Sequence, residues 1–278
     1  MTVGILAHLA GKLPVKELAA QIASRKFDYV QLALAKAIDG IDFSLGKLSP
    51  GLANEVGGAF DRAGVGIAVL GCYASLIDLD DATYRYNVDR FKEHLRHARH
   101  FGAPTVATEV GVPATDDPAL LARHWQRLDR ALEELVEEAE RWGVTIGLEA
   151  AQTHLIDTAG KLAETIERFP SSCVGVVLDP CNLLNAGNVD NQREIVAEAF
   201  RLLGPRIVSA HAKDWRREPN GGIAETAAGL GGLDYAQFWR LLEETKPSGF
   251  VTLEAVDAAQ MAATAQFVRD GRSSAAAE

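Results

Sequence analysis

The feature that most constrains the fold of this chain is the regular alternation of short β-rich runs with longer helical patterns along its 278 residues. βαβ units and a parallel sheet require this order. Eight runs predict strands, at residues 3–8, 29–34, 65–71, 105–109, 144–149, 174–179, 207–211 and 250–254. Eight strands with intervening helices indicate an α/β fold, a (β/α)8 TIM barrel that forms a single domain over residues 1–269. The small and polar segment 270–278 is expected to be a disordered tail.

The segments between the predicted strands favour helices that pack on the outside of such a barrel. In residues 118–142, apolar Leu128, Leu132, Leu135 and Ala139 recur at intervals of three or four, which is the spacing of one helix face. The competing architecture is an open doubly wound sheet, which usually carries a glycine-rich phosphate loop after an early strand. The sequence has no such loop, so the closed barrel is the preferred interpretation.

Composition limits the partners of the chain. A formal net charge of −10 opposes binding to nucleic acid, because proteins that bind dense phosphate arrays usually carry a basic face. The three cysteines are scattered without a C-x-x-C spacing, which predicts neither a disulfide framework nor a thiolate zinc site. With no signal-peptide pattern and no apolar run of membrane-spanning length, the sequence predicts a cytoplasmic protein without a membrane partner.

Four predicted strands in the second half end on a side chain that can bind a metal ion, namely Glu149, Asp179, His211 and Glu254. A single carboxylate after a strand more often caps a helix or faces solvent. Four at successive strand ends favour a shared site, because these ends open on one rim of a barrel. Three carboxylates and one imidazole suit Mn²⁺, Mg²⁺ or Co²⁺, with Zn²⁺ as the less favoured alternative.

The motifs around these four residues carry a family resemblance. They are LEA at Glu149, LDPCN at Asp179, HAKD at His211, and GLGGLDY followed by FVTLEA at Glu254. Together they resemble the xylose-isomerase-like sugar epimerase and isomerase superfamily. That superfamily includes ketose 3-epimerases, hydroxypyruvate isomerases, inosose dehydratases and, more distantly, an apurinic endonuclease.

The resemblance implies that Glu149, Asp179, His211 and Glu254 bind a divalent metal ion. It also implies that Glu149 and Glu254 are the catalytic acid and base of a small-sugar isomerase or epimerase, with proton transfer through a metal-stabilised enediolate. The alternative is a dehydratase of a keto-polyol, of the inosose or dehydroshikimate type, which begins with the same proton abstraction. A DNA-repair endonuclease is disfavoured by the negative charge, and a homo-oligomer, dimer or tetramer, is implied.

Further residues are expected to contact a sugar substrate. The resemblance places Arg217 at the offset of a substrate arginine and Asn182 where ketose epimerases usually have histidine, so the epimerase subclass stays open. Lys213 is interpreted either as a partner of an anionic oxygen or as a solvated rim lysine. The remaining candidates are His154, on the loop after Glu149, and Glu109, at the end of the fourth predicted strand.

Overall fold

The computed structural model describes residues 1–277. Its strands are β1 (Gly4–Leu6), β2 (Tyr29–Leu32), β3 (Gly66–Gly71), β4 (Thr105–Thr108), β5 (Thr145–Glu149), β6 (Val174–Leu178), β7 (Ile207–Arg217), β8 (Ile223–Ala227) and β9 (Phe250–Leu253). Its α-helices are α1 (Val15–Ser24), α2 (Leu34–Ala37), α3 (Pro50–Arg62), α4 (Asp81–Phe101), α5 (Pro118–Trp142), α6 (Ala159–Arg168), α7 (Gln192–Leu203), α8 (Tyr235–Thr245) and α9 (Met261–Ala275).

The strands form a closed parallel barrel. β1 to β7 pair in sequence order, β7 pairs with β9, and β9 returns to β1 through the pairing of Gly4 with Thr252. This ring confirms the prediction of a single-domain (β/α)8 barrel. β8 lies outside the ring and pairs antiparallel with the far end of β7.

The surrounding helices follow from local sequence signals, as α5 illustrates. The Asp117 side chain accepts hydrogen bonds from the backbone N–H groups of Ala119 and Leu120, which caps the start of the helix. Gly143 ends the helix in the left-handed conformation that glycine adopts without strain. Its predicted apolar face, Leu128, Leu132, Leu135 and Ala139, is fully buried.

None of the helices within residues 1–277 combines the length and the apolar character that a membrane span requires.

Two strand boundaries differ from the sequence prediction. β1 stops at Leu6 because a 3₁₀ turn begins at Ala7, so His8 lies outside the strand. β7 does not end at His211 but continues to Arg217, since β8 folds back and pairs with residues 213–217. The polar residues Lys213 and Asp214, which lie beyond the predicted strand 207–211, are therefore buried within a strand.

The expectation of a disordered tail from Asp270 is wrong for the residues that the structure describes, because α9 continues to Ala275. Its anchor is Arg272, a buried residue whose Nε donates to Glu243 Oε1 at 2.8 Å. The same guanidinium donates to the backbone carbonyls of Gly249 and Pro247. Arg272 thus ties α9 to the loop that enters β9. Glu278 lies outside the described residues.

We expect Arg272→Ala to lower the free energy of unfolding by about 3–5 kcal/mol, because it leaves the buried carboxylate of Glu243 without its partner. Urea denaturation measures this loss. Gln266→Ala, on the exposed face of the same helix, should change stability by less than about 0.5 kcal/mol. The double variant Arg272→Met, Glu243→Leu should recover much of the loss, and equal effects at positions 272 and 266 would contradict the assigned anchor.

Candidate active site

The structure brings the four predicted metal-binding side chains together at the carboxyl ends of the barrel strands. Glu149 is the last residue of β5, Asp179 follows β6, His211 lies within β7, and Glu254 follows β9. One donor atom from each of the four lies within 4.8 Å of the others. The sequence prediction that these distant residues converge on one rim is therefore correct.

The imidazole of His211 is at the centre of this cluster. Its Nδ1 is 3.0 Å from Glu254 Oε2, 3.3 Å from Glu149 Oε1 and 3.7 Å from Asp179 Oδ2. His211 Nδ1 and Asp179 Oδ2 are both buried, and within residues 1–277 neither has a partner in hydrogen-bonding geometry. Unpartnered buried polar atoms are costly, and a divalent cation among these donors would satisfy both. The donor set therefore fits such an ion.

Proximity of the carboxylates changes the pKa values of the cluster. Burial raises the pKa of Glu149 above its ordinary value. Burial alone would lower the pKa of His211, but the surrounding carboxylates raise it well above 6.5. Burial alone would raise the pKa of Glu254, as it does for Glu149, but the contacts with His211 and Lys213 lower this pKa below its ordinary value. The cluster thus strongly favours positive charge at its centre, whether from a proton or a metal ion.

Asn182 and Lys213 connect the two predicted catalytic glutamates. The Lys213 Nζ donates to Asn182 Oδ1 at 2.7 Å and contacts Glu254 Oε1 at 3.3 Å. The Asn182 Nδ2 in turn donates to Glu149 Oε1 at 2.7 Å. Lys213 is 2% exposed, which excludes the interpretation of a solvated rim lysine. Both side chains therefore hold the glutamates in position from within the site.

Gln31 is a residue of the site that the sequence analysis missed. It lies on β2, is 1% exposed, and its Oε1 is 3.0 Å from His211 Nε2. The Gln31 Nε2 donates to the Tyr73 hydroxyl at 2.9 Å, which fixes the direction of the amide. Gln31 thus accepts the Nε2 proton and turns Nδ1 toward the carboxylates. The available signal was a single amide within the apolar run YVQLAL.

Asp214 holds the hairpin of β7 and β8 in place. Its buried carboxylate accepts backbone hydrogen bonds from Trp215, Gly229, Gly231 and Leu233. A Cβ atom at Gly231 would lie 2.1 Å from the Trp215 carbonyl oxygen, so only glycine fits there. The GLGGLDY motif is therefore the loop that closes over Asp214.

A cavity of about 350 Å³ opens beside the cluster, a volume in the range of small-molecule sites. Four of the predicted substrate residues, Glu109, His154, Asn182 and Lys213, line this cavity together with Glu225 of β8. Burial, and then the nearby Glu149, raise the pKa of Glu109. The structure thus brings these side chains within reach of one bound molecule.

Arg217 is the predicted substrate residue that the structure does not bring to the cavity. Its guanidinium pairs with Asp190 and lies 6.0 Å from the centre of the Trp215 ring. The reason is the extension of β7, which carries position 217 to the exposed end of the hairpin. The family offset was therefore misleading for this residue, and no role in substrate contact is supported for Arg217.

We expect Gln31→Leu to weaken divalent metal binding by about 10- to 100-fold, since it removes the acceptor that orients His211. Competition for Co²⁺ with a chromophoric chelator measures the dissociation constant. Gln31→Glu keeps an oxygen acceptor and should retain metal binding. Tyr73→Phe removes only the hydrogen bond between the Gln31 amide and the Tyr73 hydroxyl, so it should weaken metal binding less than Gln31→Leu does. Unchanged Co²⁺ affinity in folded Gln31→Leu would contradict this role.

Comparison with known proteins agrees with the fold. The family model described as xylose isomerase-like TIM barrel matches residues 19–271. A D-tagatose 3-epimerase-like protein superposes with a TM-score of 0.79 at 19% identity, covering 99% of this chain and 98% of its own. No curated protein sequence matches the chain.

Two further solved structures share the architecture. The 3-keto-D-glucoside 4-epimerase of E. coli superposes with a TM-score of 0.71 at 19% identity, covering 99% of this chain and 98% of its own. The IOLI protein, crystallised with a zinc atom, gives 0.74 at 17% identity with the same coverage. These likenesses establish the shared fold. Because the family model spans most of the sequence, this chain belongs to the xylose isomerase-like TIM barrel family.

Proposed function

We propose that this protein is a metal-dependent isomerase or epimerase of a small sugar or sugar derivative. The observation that carries the proposal is the placement of Glu149 and Glu254, whose carboxylates contact His211 Nδ1 at 3.3 and 3.0 Å. They come from β5 and β9, which are separated in the barrel by β6 and β7. Two carboxylates so arranged beside a sugar-sized cavity suit proton transfer at one carbon.

The proposed reaction starts on a carbon that carries a hydrogen next to the sugar carbonyl. One glutamate removes this proton, and the C–H electron pair moves toward the carbonyl oxygen. In an epimerisation, the other glutamate returns a proton to the opposite face of the same carbon. In an isomerisation, it returns the proton to the neighbouring carbon, and the hydroxyl proton moves to the former carbonyl oxygen, so that the carbonyl group changes place. A divalent ion held by Glu149, Asp179, His211 and Glu254 would supply Lewis acidity toward the sugar oxygens. Oxygen-rich ligation favours Mn²⁺, Mg²⁺ or Co²⁺.

The part of the cavity lining formed by Glu109 and His154 provides polar groups for sugar hydroxyls. His154 Nε2 is 3.9 Å from Glu109 Oε2, and both side chains line the cavity. His154 is held by its Nδ1, which is 2.6 Å from the Glu109 carbonyl oxygen. We propose that Glu109 and His154 contact substrate hydroxyls, whereas Asn182 and Lys213 orient the glutamates.

The assembly is proposed to be a homo-oligomer, and light scattering of the purified protein tests this.

The resemblance of the D-tagatose 3-epimerase-like protein and the E. coli 4-epimerase to this chain supports the reaction class. A dehydratase of a keto-polyol would use the same base and remains the second candidate, because it differs only in the fate of the hydroxyl group. Recovered sugar that gains deuterium without loss of water supports the isomerase. A product lighter by one water identifies the dehydratase.

We expect Glu149→Gln and Glu254→Gln each to lower the rate of deuterium incorporation into a ketose substrate by about 10²- to 10⁴-fold, since each removes one proton-transfer group. Mass spectrometry of sugars recovered from D₂O measures the rate. Glu244→Gln is the matched control, because Glu244 is an exposed residue of α8 that pairs with Arg240. Full exchange in either site variant would refute the proposed roles.

Purified protein is expected to bind about one divalent ion per chain, because the four donors form one cluster. At a free ion concentration of about 100 times the dissociation constant, binding should add about 2.7 kcal/mol to the free energy of unfolding. Metal analysis and thermal denaturation with Mn²⁺, Mg²⁺, Co²⁺ or Zn²⁺ measure both effects. Glu149→Gln should bind more weakly, and a wild-type protein that takes up no ion would overturn the metal site.

A further inference from the structure

We propose that the substrate of this site is an uncharged sugar, a free ketose or keto-polyol that carries neither a phosphate ester nor a carboxylate. This inference rests on the proposed function and narrows its substrate class. Three observations support it: the negative charge of the cavity wall, the three hydrogen bonds that Lys213 already makes, and the pairing of the nearby arginines with acidic residues outside the cavity.

The cavity wall is rich in carboxylates. Glu109, Glu225 and Glu254 all line it, and the first two are not part of the proposed metal-binding set. The Glu225 side chain is 60% exposed and lies on the β8 side of the opening. Like charges in a partly desolvated space repel strongly. A phosphate or carboxylate on the substrate would therefore enter against Glu109 and Glu225.

Lys213 is the lysine of the cavity lining that could pair with an anionic group of the substrate, but its hydrogen-bonding capacity is already used. An ammonium group has three N–H donors. The Lys213 Nζ contacts Asn182 Oδ1 at 2.7 Å, Glu225 Oε1 at 2.7 Å and Glu254 Oε1 at 3.3 Å. To bind a phosphate, it would have to release one of these oxygen partners.

The arginines of the β7–β8 hairpin do not supply the positive charge that an anionic substrate would need. Arg217 pairs with Asp190, and the Arg216 Nε is 3.4 Å from Glu218 Oε1. Both residues are exposed at the end of β7, and neither lines the cavity. Lys36 lies 4.2 Å from the centre of the Tyr73 ring and is not part of the lining. Within residues 1–277, Lys213 is the only lysine or arginine that lines the cavity.

Glu225 is therefore the residue that makes the site selective against anions. It neutralises Lys213 from the entrance and adds an exposed negative charge at the same time. Glu225→Ala would free one N–H donor of Lys213 and remove the entrance charge, which should improve binding of an anionic sugar. A residue that only supports the fold would not cause a gain of affinity.

The test uses the full chain loaded with Mn²⁺ and two matched pairs, D-fructose with its 6-phosphate and D-ribulose with its 5-phosphate. Isothermal titration calorimetry should show that at least one free ketose binds, with its phosphate ester at least about tenfold weaker. The difference should shrink between about 0.02 and 0.5 M NaCl, because salt screens exposed charges. This salt dependence needs no variant and does not depend on the folding of one.

Glu225→Ala should reduce the preference for the free ketose by about tenfold. Glu218→Ala is the matched control, because it removes the same charge from the same hairpin but from a residue outside the cavity lining. It should leave the preference unchanged.

Equal or tighter binding of a phosphate ester by the wild-type protein would overturn the inference. If that ester also exchanges deuterium in D₂O, the proposed isomerase function stands and only the substrate class is wrong. If no ketose of either kind binds or exchanges deuterium, the proposed function fails and the inference fails with it.

Discussion

The buried carboxylates of Glu149 and Asp179 meet the partly exposed carboxylate of Glu254 at the mouth of the barrel, and the rest of the site is arranged around their negative charge. Isolated buried charges are strongly unfavourable. The structure responds with His211 between the carboxylates and with Lys213 beside them. Each compensating group is itself fixed, His211 by Gln31 and Lys213 by Asn182 and Glu225. The negative charge of these three side chains thus explains why polar residues from β2, β7, β8 and the turn after β6 converge here.

The extension of β7 connects the site to the surface of the protein. Successive residues of a strand point to opposite faces, so Lys213 reaches the cluster while Asp214 receives the backbone N–H groups of the glycine-rich loop. A single strand segment thereby supplies the Lys213 cation to the site and the Asp214 carboxylate that holds the glycine-rich loop. Gly231 and Gly232 have no Cβ atom, which allows the loop to approach this strand closely. The motif that drew attention in the sequence is therefore structural, and its effect on the site is indirect.

The sequence was sufficient to predict the eight barrel strands and the meeting of Glu149, Asp179, His211 and Glu254, because strand order and the common direction of parallel strands determine which residues share a rim. It was not sufficient for features that depend on distances between elements. The role of Gln31 required the position of β2 relative to β7, and the exclusion of Arg217 required the hairpin. Arg272 shows the same limit, since nothing in a small polar tail indicates a buried guanidinium with three partners.

Closure of the barrel by β1 and β9 also has a consequence for synthesis on the ribosome. Gly4 lies in the first barrel strand to be made, but its pairing partner Thr252 lies in β9, which emerges after all the other barrel strands. Contacts so distant in sequence form slowly, and an unpaired strand edge is exposed to other chains in the meantime. Because Glu254 directly follows β9, the donor cluster is completed in the same step that closes the ring. A nascent chain would therefore gain its metal-binding capacity and its closed barrel together, once β9 has emerged.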